Sequence, residues 1–293
     1  MTDAFIYDAV RTPRGKGKKD GTLHEVPAVR LSALALNELK SRNNLDGHAV
    51  EDVIWGNVTQ VGEQGACLAR SAVLYSDLDE RIPGVSINRF CASALEAVNM
   101  AANQVKGGAG DAYIAGGVES MSRVPMGQSG MWTKTPQPGS PSSPGIMAKY
   151  PGMIFSQFTG AEMIADKWKM EREELDAFAV ESHRRAKIAT DAGAFDDEIL
   201  ALDIEVDGKT ERHIYDEGIR AGNLSFVVGA AEASKSCEFH YLCVPTPQGE
   251  DGSADLSYLQ TAAAQIAPGT LPPAIEVKAI EDCTVEGSTD KNS

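Results

Sequence analysis

The stretch SINRFCASALEAVNMA, residues 86–101, contains the transition that decides the fold. The segment GVSI that runs into it predicts a strand ending near Asn88, and ASALEAVNMAANQVKGG predicts a helix that stops at Gly107. Cys91 is therefore expected in the first turn of a helix that follows a strand. Unpaired N–H groups and the helix dipole stabilise an anion at such a position. From position alone, Cys91 is either a small buried hydrophobe or a nucleophilic thiolate.

Outward from this stretch, strand-like and helix-like segments alternate over the first 120 or so residues. The predicted strands are AFIYDAV, DVIWGNV, PGVSI and DAYIAGG. The predicted helices between them are AVRLSALALNELKSRN, GACLARSAVLY and the helix that follows Cys91. This βαβαβαβ order predicts an α/β fold with a mostly parallel sheet, right-handed crossovers and helices on both faces.

The pattern changes after residue 122. Residues 123–153 are rich in proline, glycine and serine, which predicts an irregular excursion. Two helices, GAEMIADKWK and REELDAFAVESHRRAKIATDAG, are expected next, the second ending at Gly193, and EILALDIEVDGKTERHIYDEG predicts a strand or hairpin. Residues 221–293 sustain neither a helical nor a strand period, so we expect a poorly patterned tail there.

Composition excludes several classes of function. The chain of 293 residues has 42 acidic and 27 basic residues and a formal charge of −15, which argues against a nucleic-acid partner. No apolar run approaches the roughly 20 residues of a membrane helix, and the first residues lack the apolar core of a signal peptide. We therefore expect no membrane association and a cytoplasmic location. Five scattered cysteines indicate reduced thiols rather than a disulfide framework.

Three other motifs do not support a site. The glycines of GGAGDAYIAGG flank a strand and do not open a helix after one, so a dinucleotide fingerprint is not predicted. Cys237, His240 and Cys243 are closely spaced but have no convincing fourth ligand nearby, so no metal site is predicted. Cys67 lies inside a helical pattern and is most simply a core residue.

The segment NRFCASALEAV, with VRTPRGK upstream and IAGGVESMS downstream, resembles the thiolase family of acetyl-CoA C-acyltransferases and acetyl-CoA acetyltransferases. The resemblance continues through GAEMIADKWKMEREELDAFAVESHRRAKIATDAGAFDDEI and ends at DEGIR. It implies a βαβαβαββ core domain over residues 1–122, with a mixed, mostly parallel sheet, and an inserted helical CoA-binding loop domain over 123–220. Residues 221–293 form the atypical tail. Ala94 departs from the family, in which many relatives have glycine.

The resemblance also implies a chemistry. Cys91 aligns with the acyl-accepting nucleophile, for thiolysis of a 3-ketoacyl-CoA or the reverse Claisen condensation, as in lipid metabolism and fatty acid β-oxidation. CoA and acyl-CoA are then substrates, and no cofactor is permanently bound. Arg220 in DEGIR matches an arginine beside the nucleotide, and the residues placed against CoA are Gln157, Phe158 and Thr159. His183 either lines the pocket or lies on the helix face. The family's habit implies a homo-oligomer, a dimer or tetramer.

The family's second core domain is not recognisable. That domain carries an oxyanion-site asparagine, a histidine in Gly-His-Pro and a second cysteine in Cys-x-Gly-x-Gly, and these two motifs do not occur in the sequence. Two interpretations stay open: an active acyltransferase, or a catalytically incompetent truncated or split fragment that needs a partner chain for the base and the second acid. A condensing enzyme of the ketoacyl synthase type is disfavoured, because a carrier-protein partner would not need the CoA-type insert.

Overall fold

The structure is a computed structural model that describes residues 3–45, 49–130, 143–206, 208–214 and 216. The described residues up to 162 and from 184 onward form one compact unit, and residues 163–183 belong to a second. The predicted site residue Arg220, the tail 221–293 and its three cysteines lie outside the described residues.

Three parallel strands form the central sheet. They are β1 (Asp52–Gly56), β2 (Gly84–Ile87) and β3 (Tyr113–Gly117). β1 is the middle strand, with Val53 opposite Gly84 of β2 and Asp52 opposite Tyr113 of β3. The predicted α/β class with a parallel sheet is confirmed.

Helices cover both faces of this sheet. Alternate residues of β1 point to opposite faces because the side-chain period of a strand is two. Val53 and Trp55 pack in one cluster with residues of α1 (Ala28–Asn43) and α2 (Leu68–Tyr75). Ile54 packs on the other face against α3 (Ser93–Gly107). The prediction of helices on both faces is thereby confirmed.

The expected strand AFIYDAV is not formed. Phe5, Ile6 and Tyr7 are 72, 79 and 91% exposed, and the described part of this segment has no regular secondary structure. A strand needs the backbone groups of a neighbour, and the paired contact nearest this segment is a single parallel bridge between Arg11 and Ile199. An apolar, β-prone composition was therefore insufficient to predict a strand here.

Three further α-helices and one hairpin complete the regular structure of the described chain, apart from two short 3-10 helices. The helices are α4 (Pro144–Lys149), α5 (Gln157–Trp168) and α6 (Arg172–Asp191), and the antiparallel hairpin pairs β4 (Leu202–Val206) with β5 (Lys209–His213). Leu202 and Ile204 of β4 pack against Leu31 of α1 and against Val26. None of the helices in the described ranges is long and apolar enough to cross a bilayer.

α5, α6 and the hairpin agree with the sequence expectation, whereas α4 lies in the region expected to be irregular. Ser143 caps α4 by accepting a 3.4 Å hydrogen bond from the backbone N–H of Ile146, and Pro144 is its first residue. Serine followed by proline is a typical helix start, so the signal was present but was outweighed by the surrounding prolines.

Candidate active site

Cys91 lies in the loop of residues 88–92 that connects β2 to α3. The helix begins at Ser93 and Ala92 is its N-cap, so Cys91 precedes the helix by two positions and is not in its first turn as expected. The reason is a tight turn in front of the helix, in which the N–H of Ala92 donates to the carbonyl of Arg89 and that of Ser93 to the carbonyl of Phe90. The thiol still stands at the positive end of α3.

The Cys91 side chain is exposed, and so is its neighbour Phe90 at 76%. Within the described part of the chain, no side chain forms a hydrogen bond with the Cys91 thiol. An exposed thiol beside a helix start is open to a reagent from solvent, which the interpretation as a buried hydrophobe does not explain.

Cys67 provides a contrast. It is the N-cap of α2, packs at the edge of the main core cluster, and its Sγ lies 3.3 Å from the carbonyl oxygen of Gly84. Partial burial opposes the thiolate, but hydrogen bonds from the backbone of Arg70 and from Ser86 outweigh it and lower the pKa of Cys67. Its packing agrees with the expected core role.

Two glycines allow α3 to start against the sheet. A Cβ on Gly56, the last residue of β1, would lie 2.5 Å from the backbone nitrogen of Ala94. A Cβ on Gly117, the last residue of β3, would lie 2.6 Å from the carbonyl oxygen of Gly56 and 3.1 Å from the Cβ of Ala94. Any side chain at Gly56 would push the start of α3, and with it Cys91, away from the strand ends.

A buried polar network lies at the same edge of the sheet. The carboxylate of Glu119, two residues after β3, accepts hydrogen bonds from the backbone N–H groups of Val58 (2.8 Å) and Thr59 (3.2 Å). It also accepts from the side-chain amides of Gln64 (3.0 Å) and Asn57 (3.3 Å), both of which are buried. Partial burial of a carboxylate is tolerated when its oxygens are hydrogen-bonded in this way. The network fixes the loop that follows β1.

The expected CoA-contacting residues Gln157, Phe158 and Thr159 form the first turn of α5. Phe158 is 71% exposed, and its backbone N–H donates to the hydroxyl of Ser156 at 3.2 Å. No hydrogen bond or ion pair among the described residues joins this turn to the Cys91 loop. His183 lies on α6, in the second compact unit.

An ion cluster that the sequence analysis did not single out joins the two ends of the family resemblance. Arg11, from VRTPRGK, donates to both carboxylate oxygens of Asp216 at 2.7 and 3.1 Å and to Glu198 at 2.5 Å. Arg14 donates to Asp216 through its backbone N–H and its side chain, each at 2.8 Å. VRTPRGK and DEGIR are both motifs of the family resemblance, but no local sequence pattern indicates that Arg11 and Asp216 form an ion pair.

The ion cluster sets the charge state of its members. Partial burial favours the neutral acid at Asp216, but hydrogen bonds from Arg11 and Arg14 outweigh it and hold the pKa of Asp216 well below its ordinary value. For Arg11, partial burial works against the charge, and hydrogen bonds to Asp216 and Glu198 raise its pKa. Asp216 and Arg11 are therefore both charged at neutral pH.

The fold and the loop define a class: an α/β protein that presents an exposed cysteine at the carboxyl edge of a parallel sheet. The chain belongs to the thiolase family, because the profile described as thiolase, N-terminal domain, matches residues 4–225. A profile for the NAD binding domain of the UDP-glucose/GDP-mannose dehydrogenase family also matches residues 197–291, most of which lie outside the described residues. That stretch contains no Gly-x-Gly, with which the dinucleotide fingerprint begins.

Similar proteins carry thiolase names. A steroid 3-ketoacyl-CoA thiolase of Mycobacterium tuberculosis is 37% identical over 78% of this chain and 55% of its own length. A 3-ketoacyl-CoA thiolase of Shewanella sp. is 40% identical over 75% of the chain and 54% of its length, and one of Cronobacter sakazakii is 38% identical over the same shares. The chain thus spans about half the length of the curated relatives it matches.

Proposed function

We propose that Cys91 accepts the acyl group of a 3-ketoacyl-CoA. Its thiolate adds to the 3-keto carbon, the bond between C2 and C3 breaks, and the departing enolate of acetyl-CoA takes up a proton. The sulfur of a second CoA then attacks the S-acyl cysteine, releases the shortened acyl-CoA and returns the Cys91 thiolate. The covalent intermediate divides one difficult step into two easier ones. The same steps in reverse give the Claisen condensation.

The observation that carries this proposal is the exposure of Cys91 in the loop in front of α3, in a chain that belongs to the thiolase family. The helix start favours the thiolate and the negative charge that develops on the attacked carbonyl. The relatives are named as 3-ketoacyl-CoA thiolases, which supports a 3-ketoacyl-CoA thioester as substrate and a place in fatty acid oxidation. The two half-reactions require no permanently bound cofactor.

Acylation of Cys91 can be tested by mass spectrometry. We expect the protein incubated with acetyl-CoA or acetoacetyl-CoA to gain one acyl group, which peptide mapping assigns to Cys91. Cys91→Ala removes the adduct, whereas Cys67→Ala, which changes the other described thiol, retains it. An unmodified Cys91 in a correctly folded sample would overturn the proposal.

A second candidate is a chain that accepts an acyl group but does not turn over by itself. The specific observation is the absence of Gly-His-Pro and Cys-x-Gly-x-Gly from the 293 residues, which leaves no assigned base or second acid. In this case a partner chain supplies both groups. The adduct then forms slowly and in one equivalent, and addition of free CoA does not give steady release of product. Continuous thiolysis by the purified chain would refute this candidate.

For CoA binding, we propose the loop domain that covers residues 123–220, with Gln157, Phe158 and Thr159 at the start of α5, together with His183 and Arg220. An arginine at position 220 would pair with phosphate or stack on the adenine. Phe158→Ala is expected to raise the CoA concentration needed for half-maximal acylation, while Phe178→Ala, which changes a similarly exposed phenylalanine on α6, leaves it unchanged. Equal effects of the two substitutions would argue against a specific contact at Phe158.

We further propose that the chain forms a homo-oligomer. β2 is an edge strand of the three-stranded sheet, and its residue Val85 is exposed, as are Leu74 and Tyr75 at the end of α2. Among the described strands the outer edge of β2 has no partner, and an unpaired strand edge is a surface on which a second copy can pair.

A further inference from the structure

The residue immediately before Cys91 has an unusual backbone conformation. Phe90 has φ of 49°, in the left-handed region. That region is uncommon for a bulky side chain, because its Cβ crowds the backbone there. Phe90 is also exposed, so packing around its ring does not hold it in place. Other contacts must therefore maintain this conformation.

The side chains of Asn88 and Ser93 hold the two polar backbone groups of Phe90. The backbone N–H of Phe90 donates to the Oδ1 of Asn88 at 2.8 Å, and its carbonyl accepts from the hydroxyl of Ser93 at 2.6 Å. The Ser93 hydroxyl also accepts a hydrogen bond from the N–H of Arg89 at 2.8 Å. The first residue of α3 is thereby bonded to both residues that precede Cys91.

Asn88 links this turn to the hydrogen-bonded carboxylate of Glu119. Its Nδ2 donates to the carbonyl of Val58 at 3.0 Å, and the N–H of Val58 donates to the carboxylate of Glu119 at 2.8 Å. Glu119 is itself fixed by the buried amide of Gln64. A series of hydrogen bonds thus links the partly buried carboxylate of Glu119, through Val58 and Asn88, to the peptide before Cys91.

We propose that Asn88 is a positioning residue for the Cys91 thiol. It does not touch the substrate; it holds Phe90 in the left-handed conformation, and the direction of the following Cα–Cβ bond depends on that conformation. Without the Asn88 side chain, residue 90 relaxes to a negative φ and the Cys91 thiol turns away from the start of α3. The inference rests on the proposed role of Cys91 as acyl acceptor. Asn88 is the residue to change because it is exposed, whereas replacing Glu119 would also disturb a buried network.

The test compares three variants. Asn88→Ala removes both hydrogen bonds, and Asn88→Ser keeps a hydroxyl that can accept from the N–H two residues on. Asn37→Ala is the matched control, because the Oδ1 of Asn37, a half-buried residue on α1, likewise accepts a backbone hydrogen bond at the surface, from Asp77 at 2.7 Å. Each variant is assayed for the acylation rate of Cys91 with acetoacetyl-CoA, for its alkylation rate with iodoacetamide, and for its melting temperature.

We expect Asn88→Ala to slow acylation of Cys91 by about 10-fold or more, since small displacements of a reacting group have effects of this size. Alkylation should slow in the same variant, the melting temperature should change little, and Asn88→Ser should recover most of both rates. Asn37→Ala should leave both rates unchanged. Wild-type rates in Asn88→Ala, an equal loss in Asn37→Ala, or no recovery in Asn88→Ser would each overturn the inference.

The two proposals fail in different ways. If the wild-type protein takes no acyl group, the proposed function is wrong, and the alkylation rates alone then decide whether Asn88 positions the thiol. If the wild type is acylated and Asn88→Ala is acylated equally fast, the proposed function stands and the positioning role does not.

Discussion

Arg11 and Asp216, which are 205 residues apart in the sequence, form a bidentate ion pair, with guanidinium nitrogens 2.7 and 3.1 Å from the two carboxylate oxygens. The Asp216 side chain is only 9% exposed, and Arg14 contacts it as well. The pair fastens the segment that leads toward residue 220 onto the loop that begins the chain. The pair also joins VRTPRGK and DEGIR, the first and last motifs of the family resemblance, within one compact unit.

Asp216→Asn is expected to destabilise the protein by about 1.5–3 kcal/mol, because it removes the charge that Arg11 and Arg14 share and leaves Arg11 with Glu198 alone. The measurement is urea unfolding followed by circular dichroism. Asp203→Asn is the control: it removes an exposed ion pair with Arg212 on the hairpin, so a change within about 0.5 kcal/mol is expected. Similar losses of unfolding free energy in both variants would show that the ion pairs of Asp216 contribute no more to stability than an exposed ion pair does.

Acid should weaken the fold through the same group. The pKa of Asp216 is lowered in the folded state, so its ion pairs contribute fully above the unfolded pKa of about 4 and are lost progressively as pH falls below it. The pKa of Glu63 is lowered likewise, by its hydrogen bond to Arg123. Unfolding free energy measured from pH 7 down to pH 2 should therefore decrease below about pH 4. The Asp216→Asn variant should show a shallower decrease; an identical slope would contradict this assignment.

Gly56→Ala should loosen the start of α3. The added Cβ would lie 2.5 Å from the backbone nitrogen of Ala94, so the helix start or the strand end must shift, at about 1–3 kcal/mol. Gly107→Ala at the other end of α3 is the matched control. Its Cβ meets nothing within 4 Å, and alanine is the better helix former, so a gain of about 0.5–1 kcal/mol is expected. Thermal unfolding and the alkylation rate of Cys91 report on both changes.

Val85→Lys should weaken self-association. A lysine on the edge strand β2 places a charge where a second copy would pair. Sedimentation velocity at several concentrations should show a shift toward the monomer, with circular dichroism unchanged. Lys209→Ala, on the strand β5 of the separate hairpin, should leave the distribution as in the wild type. A wild type that is already monomeric at all concentrations would contradict the proposed oligomer.

Sequence patterns correctly predicted the three strands of the central sheet and the long helices that pack on it. The apolar period of AVRLSALALNELKSRN matches α1 residue for residue, because this helix buries one face against the core. The patterns failed where the outcome depends on a partner distant in sequence. AFIYDAV has the composition of a strand but no described strand pairs with it, and the pairing of Arg11 with Asp216 has no local signature.

The location of the candidate site was predicted in part, because local sequence shows only some of the contacts that shape it. A cysteine between a strand and a helix can be read from local propensities, so the loop of Cys91 was located to within two residues of the helix start. The left-handed conformation of Phe90 could not be read, because nothing about phenylalanine favours it. Asn88 two residues earlier was the available clue, since asparagine often bonds to the backbone two positions on.

The exposed run Phe5, Ile6 and Tyr7 bears on the handling of this chain. An exposed apolar segment whose backbone pairs with no described strand is available to pair with other chains, and short β-prone stretches of this kind can start intermolecular stacking. Yield and shelf life of the purified chain should thus depend on concentration. Replacing Ile6 by lysine is a simple way to keep preparations monodisperse, because it puts a charge in the middle of that segment.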